Sequence, residues 1–230
     1  MEIRSPLLSS KLARENLGKK ADVYEINRAL NAIDNIGQLY DALSAAQKSV
    51  DPLETPQARA MRYETQYLKA TAKGEEVLLG AMESLNNLAA TIKQQALFQA
   101  GLTDPPASAQ EIRASLRSMS QADRDKAIAD AFESNDREVL ASIYGNNRVT
   151  WGGTTNALDS QFEAYVERNS PDARANREAV SKAAEATNLA FDTFAKSAND
   201  WRDPLNAAKG YAQQEEFDKA DAALKAALTA

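Results

Sequence analysis

The sequence predicts an all-α protein, a long antiparallel helical hairpin or bundle carrying a small satellite of short helices. Three observations predict it. Alanine is the commonest residue, 44 of 230, and Leu, Glu, Gln, Lys and Arg, which lose little rotamer freedom in a helix, supply much of the rest. Glycine and proline together number 16, too few for the frequent turns of a β-rich chain, and no segment sustains the period-two alternation of a half-buried strand. After Pro56 no further proline interrupts the chain until Gly101 has passed. A helix of that length spans roughly 68 Å, about twice what a small domain needs.

Residues 1–21 read as an extended N-terminal arm. Arg4, Lys11, Arg14, Lys19 and Lys20 stand there against Glu2 and Glu15, a net +3 that leaves −9 on the rest of the chain. Such an arm suits docking on an acidic neighbour, with Arg4 and Arg14 as contacts. A helix is predicted from Asp22, as N-cap answered by Glu25, to about Val50, where Asp51-Pro52 stops it. Its apolar residues Val23, Ile26, Leu30, Ile33, Ile36, Tyr40 and Leu43 recur at three and four, marking one face for burial. Thr55-Pro56 then opens the long helix, proline being tolerated where the first N–H lacks a partner. Residues 22–100 therefore form a helical hairpin.

Within the long helix Leu78, Met82, Leu85, Ala89, Ile92 and Ala96 alternate spacings of four and three, the seam of a helix pair. Tyr63, Tyr67, Ala70, Gly74 and Val77 form a second stripe whose small residues permit close approach. The shorter first helix covers only part of this length, so the excess apolar stripe requires a later helix or another subunit. The subunit reading makes Leu78, Met82, Leu85 and Ile92 interface residues.

Residues 101–107, Gly-Leu-Thr-Asp-Pro-Pro-Ala, mark the plainest boundary. Three short helices are expected after it, capped at Ser108, Ser120 and Asn135, each with an acidic residue three positions on. They form a satellite over 101–155 that ends in the least helical stretch, Asn146 to Thr155. Trp151 with Gly152 and Gly153 there reads as a contact loop, because tryptophan anchors interfaces and paired glycines let a backbone approach closely. The competing reading places Trp151 in the chain's own core.

Over 156–230 a helix at about 156–168 precedes a long one started by Ser170-Pro171. Val180, Ala184, Thr187, Phe191, Phe194, Ala198 and Trp201 give it an unbroken seam, with Phe191, Phe194 and Trp201 as candidate contacts. In the last segment, Ala208, Tyr211, Phe217, Ala220, Leu224 and Ala227 resemble the small and aromatic pattern of the tetratricopeptide repeat. The resemblance covers only this tail, has Glu215 where the repeat carries a turn glycine, and implies a helical hairpin.

The chain holds no histidine and no cysteine, which removes the usual imidazole base, thiolate nucleophiles and the commonest transition-metal ligands. No cofactor and no metal are expected. The carboxylates Asp123, Asp125, Asp130, Glu133, Asp136 and Glu138 are interleaved with Arg124, Lys126 and Arg137 and lack EF-hand spacing, so they read as a charge-compensated solvent face. An acidic body disfavours nucleic acid. The N-terminus lacks a signal-peptide apolar stretch and no run reaches the length of a membrane span, so a soluble protein is expected, in the cytoplasm or in a virus particle. The reading is a non-enzymatic structural protein whose long helices bridge subunits of a homo-oligomer or larger assembly. Its profile resembles small helical structural proteins of tailed-phage particles. The alternatives are a helical adaptor for a partner helix or peptide, and a hydrolase working with carboxylates alone.

Overall fold

The protein is described by a computed structural model covering residues 5–153 and 157–229. Among these residues the regular structure is helical, with no strand. The helices are α1 (Lys11–Leu17), α2 (Tyr24–Lys48), α3 (Pro56–Gln99), α4 (Ala109–Ser118), α5 (Gln121–Ser134), α6 (Arg137–Ile143), α7 (Ala157–Asn169), α8 (Pro171–Asp200) and α9 (Pro204–Thr229), with 3-10 turns at Pro6–Leu8, Gly18–Asp22 and Arg148–Thr150. The all-α expectation holds. The chain divides into two units, Met1–Leu85 with Ser181–Ala230, and Asn86–Val180.

In the first unit the buried face of α2, from Ile26 through Leu30, Ile33, Ile36 and Leu43, packs as its periodicity requires. One cluster joins Leu8, Ile36, Tyr40, Leu43, Tyr63, Phe194 and Ala198. Gly74 of α3 is small for a reason: a Cβ there would lie 3.1 Å from both Phe191 and Phe194 of α8. Two polar links fix the helices in register, Tyr63 Oη donating to the Ala198 carbonyl at 3.0 Å and Thr187 Oγ1 to the Ala29 carbonyl at 3.4 Å. Arg202 closes the end of α8 with paired bonds of 2.9 and 2.6 Å to Glu64, its guanidinium 4.6 Å from the Tyr67 ring centre.

The N-terminal arm is not extended. Residues 6–22 coil through two 3-10 turns and α1, and the acidic neighbour is the chain's own Asp34, which accepts from Ser10 N at 2.9 Å and Ser10 Oγ at 2.7 Å. Leu8 is fully buried, so apolar burial joins charge in holding the arm down. The 3-10 turn absorbs Asp22, and Val23 takes the cap position of α2 without a side-chain bond.

In the second unit Leu116, Ile128, Leu140, Ile143, Trp151, Phe162 and Tyr165 belong to one core cluster. Phe132 and Tyr144 meet Phe162 edge-on at 5.0 and 5.1 Å, the geometry that ring quadrupoles favour. Helix α3 ends in a Schellman motif: Gly101, at φ 71°, donates to Phe98 O while Leu102 donates to Leu97 O, each at 2.9 Å. Asn135 closes α5 in the same way at φ 58°. It is thus a C-cap, and the N-cap of α6 is Asp136, whose carboxylate accepts from Val139 N at 3.1 Å. Asparagine tolerates the left-handed region because its short amide bonds locally.

Arginines serve the other helix ends. Arg59 and Arg62 donate to the Gln47, Ala46 and Ser49 carbonyls at the end of α2, Arg113 to Ser142 O in α6, Arg168 to Phe132 O in α5, and Arg124 to Leu116 O and Met119 O at the end of α4. A helix C-terminus carries unsatisfied carbonyls and the negative end of the dipole, so a cation satisfies both. The chain thereby ends helices with few glycines.

Candidate interaction surface

Of the ten side chains that the sequence marks as contacts, four are buried and five half-buried. Leu85, Ile92, Phe194 and Trp151 are buried, so their reading as subunit contacts is corrected: they present no surface to a partner. Leu78 is half-buried. Met82 Sδ accepts from Asn188 Nδ2 at 4.0 Å, Phe191 packs on Gly74, and Trp201 is tilted against Tyr40 at 5.3 Å. Between Gly74 and Met82, α3 is met by α8 of the same chain. Arg14 is spent likewise, its guanidinium reaching Ser10, Asn27 and Asn31 at 2.7 to 2.9 Å. Arg4 lies outside the described residues.

The Trp151 loop closes its own unit. Trp151 is 3% exposed, its Nε1 has no partner among the described residues, and its ring lies over Gly153, where a Cβ would meet it at 2.0 Å. Arg124 holds the loop by donating to Gly152 O. The glycines serve close packing within the chain rather than a partner's approach.

The C-terminal half of α9 is uncovered among the described residues. The helix begins with Asp203 capping Asn206 N at 3.1 Å and Pro204 at the first position. Its root is seated: Ala207 and Gly210 are buried, and a Cβ at Gly210 would lie 2.7 Å from the Gln57 carbonyl oxygen of α3. Tyr211 Oη is 3.1 Å from Thr65 Oγ1. Beyond this, residues 211–227 are exposed at every position except Asp221, which is half-buried. The segment is about 25 Å of helix. It is one continuous helix, which corrects the expected hairpin: Glu215 continues the ladder where a turn glycine would have broken it.

The face that α3 covers at Ala207 and Gly210 continues through Gln214, Phe217, Asp221 and Leu224 at spacings of four and three. Phe217 is 66% and Leu224 59% exposed. Lys219 pairs with Glu215 at 2.6 Å and Lys225 with Asp221 at 2.7 Å, i,i+4 bridges that favour the helix by a few tenths of a kcal/mol each. Asp218 accepts from Gln214 at 2.8 Å. Glu216 makes no ion pair or hydrogen bond among the described residues.

Beside the root of α9, in the same unit, is a cavity of about 370 Å³ walled by Ala46, Val50, Pro56, Arg59, Arg62, Tyr63, Trp201 and Asp203. Two of its charges are occupied: Arg62 bonds Glu54 through Nε at 2.9 Å and Nη2 at 3.0 Å, and this bond holds Glu54 below the usual carboxylate range. Asp203 is held low by the Asn206 N–H. Arg59 donates once, to Gln47 O at 2.9 Å, and forms no ion pair among the described residues. Burial raises the Tyr63 phenol above its ordinary value.

Among the described residues no group of three metal-ligating side chains converges, and no helix is long and apolar enough to cross a membrane. No protein-family model, curated protein or solved structure matches the chain.

Proposed function

We propose that this chain is a non-enzymatic helical assembly protein, and that it docks on other protein subunits through the C-terminal half of α9. The observation that carries the reading is a helix bearing Tyr211, Phe217 and Leu224 with no covering element over residues 211–227 among the described residues. An isolated helix of this length is marginal in water even when alanine-rich, and Phe217 and Leu224, seven residues apart on one side of it, are exposed large apolar side chains. The setting proposed is a multi-subunit particle such as a tailed-phage virion, on the resemblance of the profile to small helical virion proteins. A helical adaptor is the second reading, and the cavity beside Trp201 is what favours it.

The test is site-specific photo-crosslinking in cells that make the chain, with the reactive residue at position 217 and, as control, at the exposed position 111 of α4. Discrete higher-mass adducts are expected from 217 and not from 111. An absence of adducts from 217 contradicts the docking reading.

A further inference from the structure

We infer that the loop 145–153 is a strap built to open: it swings about Gly145 as one body and lifts Trp151 out of the core of the second unit while the helices around it stay folded. The Trp151 ring is 3% exposed, and its Nε1–H meets no acceptor among the described residues. A buried N–H left unpaired bears its full desolvation cost, and on release into water it gains a partner. The closed strap is therefore held less firmly, by about tenfold or more, than the same ring with its N–H satisfied.

The loop's own hydrogen bonds travel with it. Asn147 Oδ1 accepts from Val149 N, the Asn147 carbonyl from Thr150 N and Oγ1, and the Arg148 carbonyl from Trp151 N at 3.3 Å and Gly153 N at 2.9 Å. All of these close within the loop, so a swing of the whole body leaves them intact. The ties to neighbouring helices are of another kind. Arg124 of α5 donates to Gly152 O, and Arg148 pairs at 2.7 Å with Asp159 of α7, a carboxylate 70% exposed, where an ion pair adds little. Gly145 supplies the hinge: it stands at φ 67°, and nothing lies within 4 Å of where its Cβ would be. Tyr144, one residue before it, is the fixed point, packed edge-on against Phe162 at 5.1 Å. Opening thus gives up the burial of the indole and the bond from Arg124, and returns a hydrogen bond with water at Nε1. Closed and open straps are two states of one loop, and the open one alone presents the indole beside Val149, which is 69% exposed.

The experiment is hydrogen exchange of the full parent chain in D2O, followed by NMR at zero and at low urea. The chain holds two tryptophans, so Trp201→Phe assigns the two indole protons and the parent itself carries the test. Protection of the Trp151 indole proton is expected to be about a hundredfold or more below that of the Leu140 and Phe162 amides, which lie in helices of the same core. Its exchange is expected to be insensitive to low urea, because a swing of nine residues exposes little surface, while exchange of the two amides quickens with urea as unfolding of the unit requires. An indole proton protected as strongly as those amides, the behaviour of an N–H held in place by a buried water, overturns the inference. So does an indole proton whose exchange rises with urea in step with theirs, because Trp151 then leaves the core only when the unit unfolds.

Discussion

Phe194→Ala separates an internal seam from a subunit seam. The ring is 0% exposed and packs between Gly74, Tyr63 and the α2 residues Ile36, Tyr40 and Leu43. Truncation removes on the order of 100 Å² of apolar surface from the core, about 2.5 kcal/mol at 25 cal/mol per Å². The cavity left behind, which Gly74 cannot fill, raises the cost to about 3–5 kcal/mol. For a chain of this size that is a fall in melting temperature of roughly 10 °C. Because the seam closes on α2 and α3 of the same molecule, the loss is expected to be independent of protein concentration and to leave the mass at equilibrium unchanged. Thermal melts at two concentrations a hundredfold apart, read beside sedimentation, check this. A melting temperature that falls on dilution in the parent and not in the variant, or a variant whose mass alone changes, refutes the reasoning.

Arg124→Met leaves Met119 O and Gly152 O without the arginine's donors and Leu116 O with the Met119 N–H alone; a loss of about 2–4 kcal/mol is expected, seen as a lower midpoint in urea and a red shift of tryptophan emission. Gly210→Ala sets about 1 kcal/mol of helix propensity against a 2.7 Å contact with a backbone carbonyl that cannot turn away. The contact wins, and loss of the Tyr211–Thr65 bond is expected, read from the amide chemical shift of Thr65. The Tyr63 phenol has its proton affinity raised by burial, so its share of stability is fully present below the ordinary tyrosine pKa of about 10 and is lost as pH rises beyond it. Melting temperatures between pH 8 and 11 are expected to fall less steeply for Tyr63→Phe than for the parent.

The helices were legible because their signals are local. Thr55-Pro56 predicts the start of α3, and Thr55 Oγ1 accepts from Ala58 N at 3.2 Å; Gly101 predicts its end. In α2, α3 and α8 the three-and-four spacing also selects side chains that are buried or half-buried, but spacing is silent on whose helix covers them. Phe194 and Leu85 read equally well as subunit contacts, and only their burial within the chain assigns them to the core. Trp151 shows the same limit, since a large aromatic near glycines suits a contact loop or a core plug. The arm misleads because its charges are obvious and Leu8, which anchors it, is a single apolar residue. In the tail the informative signal was an absence: without a turn glycine at Glu215 the stripe at Phe217 and Leu224 runs on as one helix. Cavity and Arg59 were not legible, because they come from residues over 150 positions apart in sequence.

The central claim is that assembly runs through α9 while the long seams close within each chain. Hydrogen exchange followed by mass spectrometry, on the full chain in dilute and concentrated solution, tests it most directly. Protection of residues 211–227 is expected to rise with concentration, while residues 78–92 of α3 and 187–198 of α8 remain equally protected in both. Concentration-dependent protection at 78–92, with 211–227 exchanging alike throughout, would contradict it.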